Sequence, residues 1–378
     1  MVQRISRRTA LQTAGVLMVS SQTAFGSTAN SAVTMGIIGT GGRGRFVGSV
    51  FAKDGRARIV AICDIFSDRI DAAKTQLPGA DRARAFRDHE ELLAMEGLDA
   101  VLIATPVFLH PLHFEAAAKA RKHIYCEKPA GADVAGVKRL LRAAQTADPT
   151  KNIGFGFQQR YSPEYLAAEK ILRSGQLGEL LLMRSNWILG GAALGPFRSP
   201  YPPEDQKLRH WGAWKEYSGD FIVEQDCHGL DVLNWFAGGP PLKASGAGGR
   251  RKRTYGDNSD HLNVTYEYPG GLKGFLTATQ LAVKRYWEVN EQFFGTEGML
   301  ETERKYYKWH RGPDDVVRVE SKREITIDAV AAFLGRVLDG KPENMALNAC
   351  ASTLTSLLGR MAIETGRETT WEELLRSG

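Results

Sequence analysis

A short apolar run, Val33 to Ile38, enters a turn in which Gly39, Gly41 and Gly44 fall at G-x-G-x-x-G spacing, with Gly42 and Arg43 between them. This turn restricts the fold more than any other part of the chain. Glycines suit a tight strand-to-helix turn whose backbone must approach a pyrophosphate closely, and the following helix offers free N–H groups to that anion. A second apolar run, 58–63, ends in Asp64, about 20 residues past the last glycine, where an acid hydrogen-bonds an adenosine ribose. Together they predict a dinucleotide site. Gly39, Gly41, Gly42, Arg43, Gly44 and Asp64 are its expected cofactor-binding residues. A carboxylate at Asp64 accepts from a ribose 2′-OH and repels a 2′-phosphate. Ile65 follows it, not a basic residue, so NAD is expected, with NADP kept as the alternative by Arg43 and Arg69.

At 378 residues the chain is long enough for two domains. Strand and helix patterns alternate from Val33 to about Ala147, as in a parallel sheet wrapped by helices. From Lys151 the rhythm changes to long alternating runs at 179–189, 261–268, 274–281, 287–294 and 299–303, with helices predicted at 163–174 and 221–236. The expected fold class is therefore an α/β Rossmann-like N-terminal domain (33–150) followed by an α+β C-terminal domain (151–378). The second domain is expected to carry a large, mostly antiparallel sheet, with helices from about residue 328 packing back. A wide sheet with one bare face predicts self-association into a homo-oligomer.

Residues 1–32 read as a leader. Arg7 and Arg8 precede a weakly apolar run and then small residues, resembling a twin-arginine export signal, although Ala10 stands where a large apolar residue is usual. The protein is accordingly expected in the periplasm or outside the cell. Twin-arginine export carries folded proteins, and free NAD is scarce outside the inner membrane, so the nucleotide is expected to be retained and recycled. The leader holds three of the basic residues and no acid, which reduces the net charge of +6 to +3. That is too little to argue for nucleic acid, and the run Arg250–Arg253 reads as a solvated hairpin or strand end. No apolar stretch reaches membrane-spanning length. Cys63, Cys126, Cys227 and Cys350 form no CxxC pair, and His261 and His310 lack partners at ligand spacing; no metal is expected.

Two further stretches carry a resemblance. Thr105-Pro106, four residues before His110, and Cys126-Glu127-Lys128-Pro129 at the next strand end are similar to the Gfo/Idh/MocA family of oxidoreductases. Gln159-Arg160-Tyr161 with Pro163, Thr365-Gly366 and Thr370-Trp371-Glu372-Glu373-Leu374 extend the likeness over the chain after the leader. The resemblance implies that Thr105, Pro106, His110, Glu127 and Lys128 border the cofactor. It also implies that Lys128 faces the nicotinamide and bonds the reacting hydroxyl, with His228 as general acid/base. Glu224 stands where the family has aspartate. On a helix, Glu224, His228 and Asp231 share one face, so Glu224 is expected to orient His228 and Asp231 to support the substrate. Arg160 and Tyr161, together with Trp211 and Trp214 in a polar, glycine-broken stretch, are the further expected substrate contacts.

The function expected from these features is hydride transfer between a sugar, polyol or glycoside hydroxyl and a retained nicotinamide cofactor, in an exported enzyme. The rival is an NAD-dependent, redox-neutral glycoside hydrolase, which also consumes no net cofactor. Lys128 weighs against it, because the glycosidases of this kind depart from Glu-Lys-Pro.

Overall fold

The structure, a computed structural model, describes residues 32–192, 194–195 and 200–378. The expected export leader lies outside the described residues, apart from Ala32. Strands β1 (Val33–Ile38), β2 (Ala57–Cys63), β3 (Arg84–Phe86), β4 (Ala100–Ile103), β5 (His123–Cys126) and β6 (Ile153–Phe155) form a parallel sheet in the order β3-β2-β1-β4-β5-β6. β1 and β4 are almost wholly buried, because helices cover both faces of such a sheet. The chain order reverses between β1 and β4, opening a crevice at the carboxyl ends of these strands. β6 pairs with β5 through Ile153 and Ile124, so the parallel sheet runs past the expected boundary at residue 150.

The second sheet has nine strands: β7 (Leu180–Gly190), β8 (Lys243–Gly249), β9 (His261–Glu267), β10 (Lys273–Ala282), β11 (Trp287–Gly295), β12 (Met299–Glu303), β13 (Tyr306–Gly312), β14 (Asp315–Glu320) and β15 (Thr369–Thr370). Their order is β14-β13-β12-β11-β7-β10-β9-β8-β15, and among the described residues only the central β7–β10 pairing is parallel. β9 and β10 alternate strictly between buried and less buried residues, as one covered face requires. Helices Cys227–Ala237 and Ala346–Thr365 lie on that face. Gly229 allows the first of these to press on β7, since a Cβ there would stand 2.1 Å from the Ser185 hydroxyl.

Helix Thr326–Leu338 returns to the first domain, where Phe333 meets Phe51 and Tyr125 edge-on at 5.7 and 5.6 Å. Thr353, on Ala346–Thr365, accepts from the Ala130 amide at 2.9 Å. The two domains thus share a helical seam beside the end of β5. The helix expected over 221–236 is instead two: Phe221–Glu224 and Cys227–Ala237, separated by Gln225 and Asp226. The basic run Arg250–Arg253 follows β8 as a loop. Burial would raise the Asp260 carboxyl, but the hydrogen bond with His261 and the amides of Arg251, Lys252 and Arg253, which donate to it, hold it down at about 2. The four cysteines are buried and free.

Candidate active site

The glycine turn is built as its spacing demands. Gly39 has φ +90°, and a Cβ there would stand 2.7 Å from the backbone of Ala104 and Thr105; one on Gly44 would stand 2.0 Å from the Gly39 carbonyl oxygen. Only glycine lets the turn and the helix Gly42–Asp54 approach so closely. The result is a cavity of about 300 Å³ with Gly39, Gly41, Gly42, Arg43, Thr105 and Pro106 in its wall. Asp64 lies in the same wall. Its carboxylate is fixed by the amides of Thr40 (2.9 Å) and Phe66 (3.0 Å), an arrangement suited to a ribose hydroxyl. The glycine cradle, the helix N-terminus and the fixed carboxylate together fit a dinucleotide.

Two expected cofactor contacts have other roles. His110 is buried, with Nδ1 2.7 Å from the Pro129 carbonyl and Nε2 2.9 Å from that of Thr105. It ties the end of β4 to the Lys128-Pro129 turn from behind the cavity wall. Glu127 is also buried, and it pairs with Arg43 at 2.9 Å, anchoring the glycine loop to β5. His113, one turn beyond His110, lines the cavity together with His89, and its Nδ1 lies 3.0 Å from the Thr105 hydroxyl.

Lys128 follows β5 and reaches into the second domain. Its Nζ donates to the Glu224 backbone carbonyl and lies 3.0 Å from the Glu224 carboxylate. Burial pulls the lysine pKa down, but the Glu224 charge and, more weakly, Glu127 outweigh it, so the ammonium is held above its ordinary value. His228 begins the next helix, with Nδ1 3.1 Å from Gln159 Oε1. An amide oxygen can only accept, so with this amide assignment Nδ1 carries the hydrogen and Nε2 keeps its lone pair. The ring stacks on Trp187 at 5.8 Å and meets Phe157 edge-on. Burial first, then the charges of Lys128, Arg304 and Arg43, hold the imidazole neutral well below the usual histidine range. Arg43 lines the cavity and pairs with Glu127, the neighbour of Lys128, which links the glycine turn to the Lys128 strand end.

The expected shared face of Glu224, His228 and Asp231 is not formed. The helix breaks at Gln225 and Asp226, so Glu224 turns to Lys128 and leaves His228 to Gln159. Asp226, in the break, is fully buried; burial and the Asp220 and Glu224 charges raise its pKa well above the carboxylate range. Asp231 and Arg160 are committed to each other. Arg160 makes a forked pair with Asp231 (2.8–3.1 Å), and Ser352 donates to the same carboxylate at 2.6 Å. Arg160 also borders a separate cavity with Trp235 and Trp371, and the pair braces the helices. Burial pushes Tyr161 up to about 12, with Glu343 and Arg336 as its charged neighbours. Trp211 stands in the nucleotide cavity wall, and Trp214 packs edge-on against Tyr255 at 5.8 Å.

Residues 33–155 match the oxidoreductase family model described as an NAD-binding Rossmann fold, and residues 165–301 match the GFO/IDH/MocA C-terminal domain. The chain belongs to the Gfo/Idh/MocA family. Its cavity at the glycine turn is accordingly an NAD site. Inositol 2-dehydrogenase of Corynebacterium glutamicum is 30% identical over 210 residues, 55% of each chain. Myo-inositol 2-dehydrogenase of Thermotoga maritima is 25% identical over 70% of this chain and 74% of its own. The chain thus spans about half the length of the first of these relatives. Among solved Gfo/Idh/MocA-like structures, scyllo-inositol dehydrogenase from Lactobacillus casei with NAD(H) and scyllo-inositol superposes with a TM-score of 0.72 at 20% identity. A levoglucosan dehydrogenase in complex with NADH and L-sorbose reaches 0.77 at 17%. Each covers 90% of this chain and 99% of its own, and they share its fold.

Gln159 and Trp187 beside His228, and His113 in the cavity wall, are residues that sequence reasoning missed. Gln159 stood in plain view beside Arg160 and Tyr161, but an amide next to an arginine carries less signal. Its importance arises from a contact 69 residues away.

Proposed function

We propose that this protein oxidises a secondary or anomeric hydroxyl of a sugar, polyol or glycoside, reversibly, with NAD held in the glycine-turn cavity. NAD supplies the hydride acceptor; the side chains handle the proton and the charge. The Lys128 ammonium, fixed by Glu224, stabilises negative charge on the substrate oxygen as the C–H bond breaks. His228, neutral and oriented by Gln159, takes the hydroxyl proton at Nε2. The cations that keep His228 neutral also make its protonated form a strong acid, which favours proton return to a carbonyl oxygen in the reverse direction. The observation that carries this reading is the Lys128–Glu224 pair at the strand end whose Glu127 anchors Arg43 of the NAD cavity wall. Relatives named inositol 2-dehydrogenase, and the scyllo-inositol and L-sorbose bound in the crystals of two structural neighbours, support a polyol or sugar as substrate.

We propose further that the protein works outside the cytoplasmic membrane and keeps its nucleotide between turnovers; the paired arginines Arg7 and Arg8 support the first statement and the scarcity of external NAD the second. The test is to purify the full chain without added nucleotide, identify what heat denaturation releases, and then offer inositols, free sugars and glycosides. A ketone or lactone product supports oxidation. A freed aglycone with no lasting NADH absorbance establishes the redox-neutral hydrolase instead.

A further inference from the structure

Residues 201–217 belong to the second domain, yet they touch the Rossmann domain at both ends of the cofactor cavity. At one end, Arg209 closes helix Pro203–Arg209 and makes a forked pair with Asp68, at 3.0 and 2.8 Å. Its guanidinium lies 3.7 Å from the ring centroids of both Phe66 and Tyr201, and its side chain is only 7% exposed. Phe66 and Asp68 follow directly on Asp64. Between the ends, Leu208 and Trp211 stand in the cavity wall with Asp64 and Gly41. At the other end, Tyr217 stacks on Phe108 at 4.5 Å, just beyond Thr105-Pro106. The segment is also moored to its own domain: the Lys215 amide donates to Asp257 at 2.7 Å and its Nζ pairs with Glu364 at 3.2 Å.

We infer that residues 201–217 form a strap across the NAD cavity, latched by Asp68 and Arg209, and that the nucleotide leaves only when this latch opens. The inference deepens the reading of a retained cofactor and rests on it. A forked guanidinium–carboxylate pair between two aromatic faces is stronger than an ordinary surface ion pair, because stacking and partial desolvation add to the hydrogen bonds. It also requires arginine, since an ammonium can neither fork nor stack in this way. A strap joining both domains therefore gives the cofactor a slow exit without any contact to the reacting atoms.

The experiment follows bound NADH leaving the full-length holoprotein, by loss of energy transfer from tryptophan after mixing with excess NAD. Arg209→Ala and Asp68→Ala are each expected to release NADH about tenfold faster than the parent, one decade per 1.4 kcal/mol lost. The double variant should add little, because both changes open one latch, and Arg209→Lys should behave like Arg209→Ala. Asp68→Asn, at a half-exposed carboxylate, supplies a variant that keeps the fold should an alanine variant melt early. Parent-like release from folded Asp68 and Arg209 variants overturns the strap and leaves the retained cofactor standing. A parent that itself sheds its nucleotide on desalting, as fast as the variants, removes the retained-cofactor reading and the strap with it.

Discussion

The Glu224 carboxylate lies 3.0 Å from the Lys128 ammonium, 96 residues away across the domain boundary, while His228, four residues further on, turns to the amide of Gln159. One carboxylate therefore sets the charge of the lysine, and a neutral amide sets the tautomer of the imidazole.

Lys128→Ala is expected to keep its nucleotide, because the cavity is walled by other residues, and to lose hydride transfer by about a hundredfold or more, the scale of removing one charge-stabilising donor. Nucleotide content after desalting and single-turnover NADH formation measure the two effects. Unimpaired transfer would remove Lys128 from its role.

Glu224→Gln removes the charge that holds the lysine ammonium above its ordinary value. Burial then prevails and the Lys128 pKa falls. The alkaline limb of the pH–rate profile should move to lower pH, with the limb unmoved if the pair has no part in the chemistry.

Gln159→Leu takes away the acceptor at His228 Nδ1 without adding a charge. Both tautomers then become accessible, and kcat should fall by about tenfold or more, within the range of general base catalysis. KM for the nucleotide should stay unchanged; a change there alone would make Gln159 a structural residue.

Asp64→Ala should weaken NAD more than NADP, since it removes both the ribose acceptor and the charge that repels a 2′-phosphate. Dissociation constants for the two nucleotides, measured on the stripped protein, decide this. A change of equal size for both would deny Asp64 its discriminating role.

Glu291 is expected to make stability depend on pH. Burial pushes its carboxyl from 4.5 up to about 7, although it accepts from Tyr165 at 2.9 Å and Thr302 at 2.8 Å. The folded state then binds the extra proton between these values, so stability is lost as pH rises through the window, and the loss is complete above about pH 7. Glu291→Gln cannot ionise. Its melting temperature should gain on the parent as pH rises, with the difference levelling off above about pH 7; a constant difference would mean that Glu291 does not titrate there.

The glycine turn, Asp64, Thr105-Pro106 and the Lys128-Pro129 strand end were legible from residue order alone. Each is a local device: a positive φ at Gly39, a close approach at Gly44 and a carboxylate at a strand end follow from neighbours within a few residues. Long alternating strands such as β9, β10 and β11 were equally readable, since period-two burial is written along one segment. The break at Gln225–Asp226 was not. Helical periodicity continues through it, and nothing local shows that Lys128 waits on another domain to receive Glu224.

The same distinction separates the nucleotide site from the catalytic one. Spacing within a strand–turn–helix suffices to make a cradle for phosphates, because covalent connection already holds the parts together. Which carboxylate meets which cation is a competition among groups far apart in the chain. Packing resolved it by giving Asp231 to Arg160, Glu127 to Arg43 and Glu224 to Lys128. Buried charges must find partners wherever the assembled domains put them, and no pattern of neighbouring residues records that outcome.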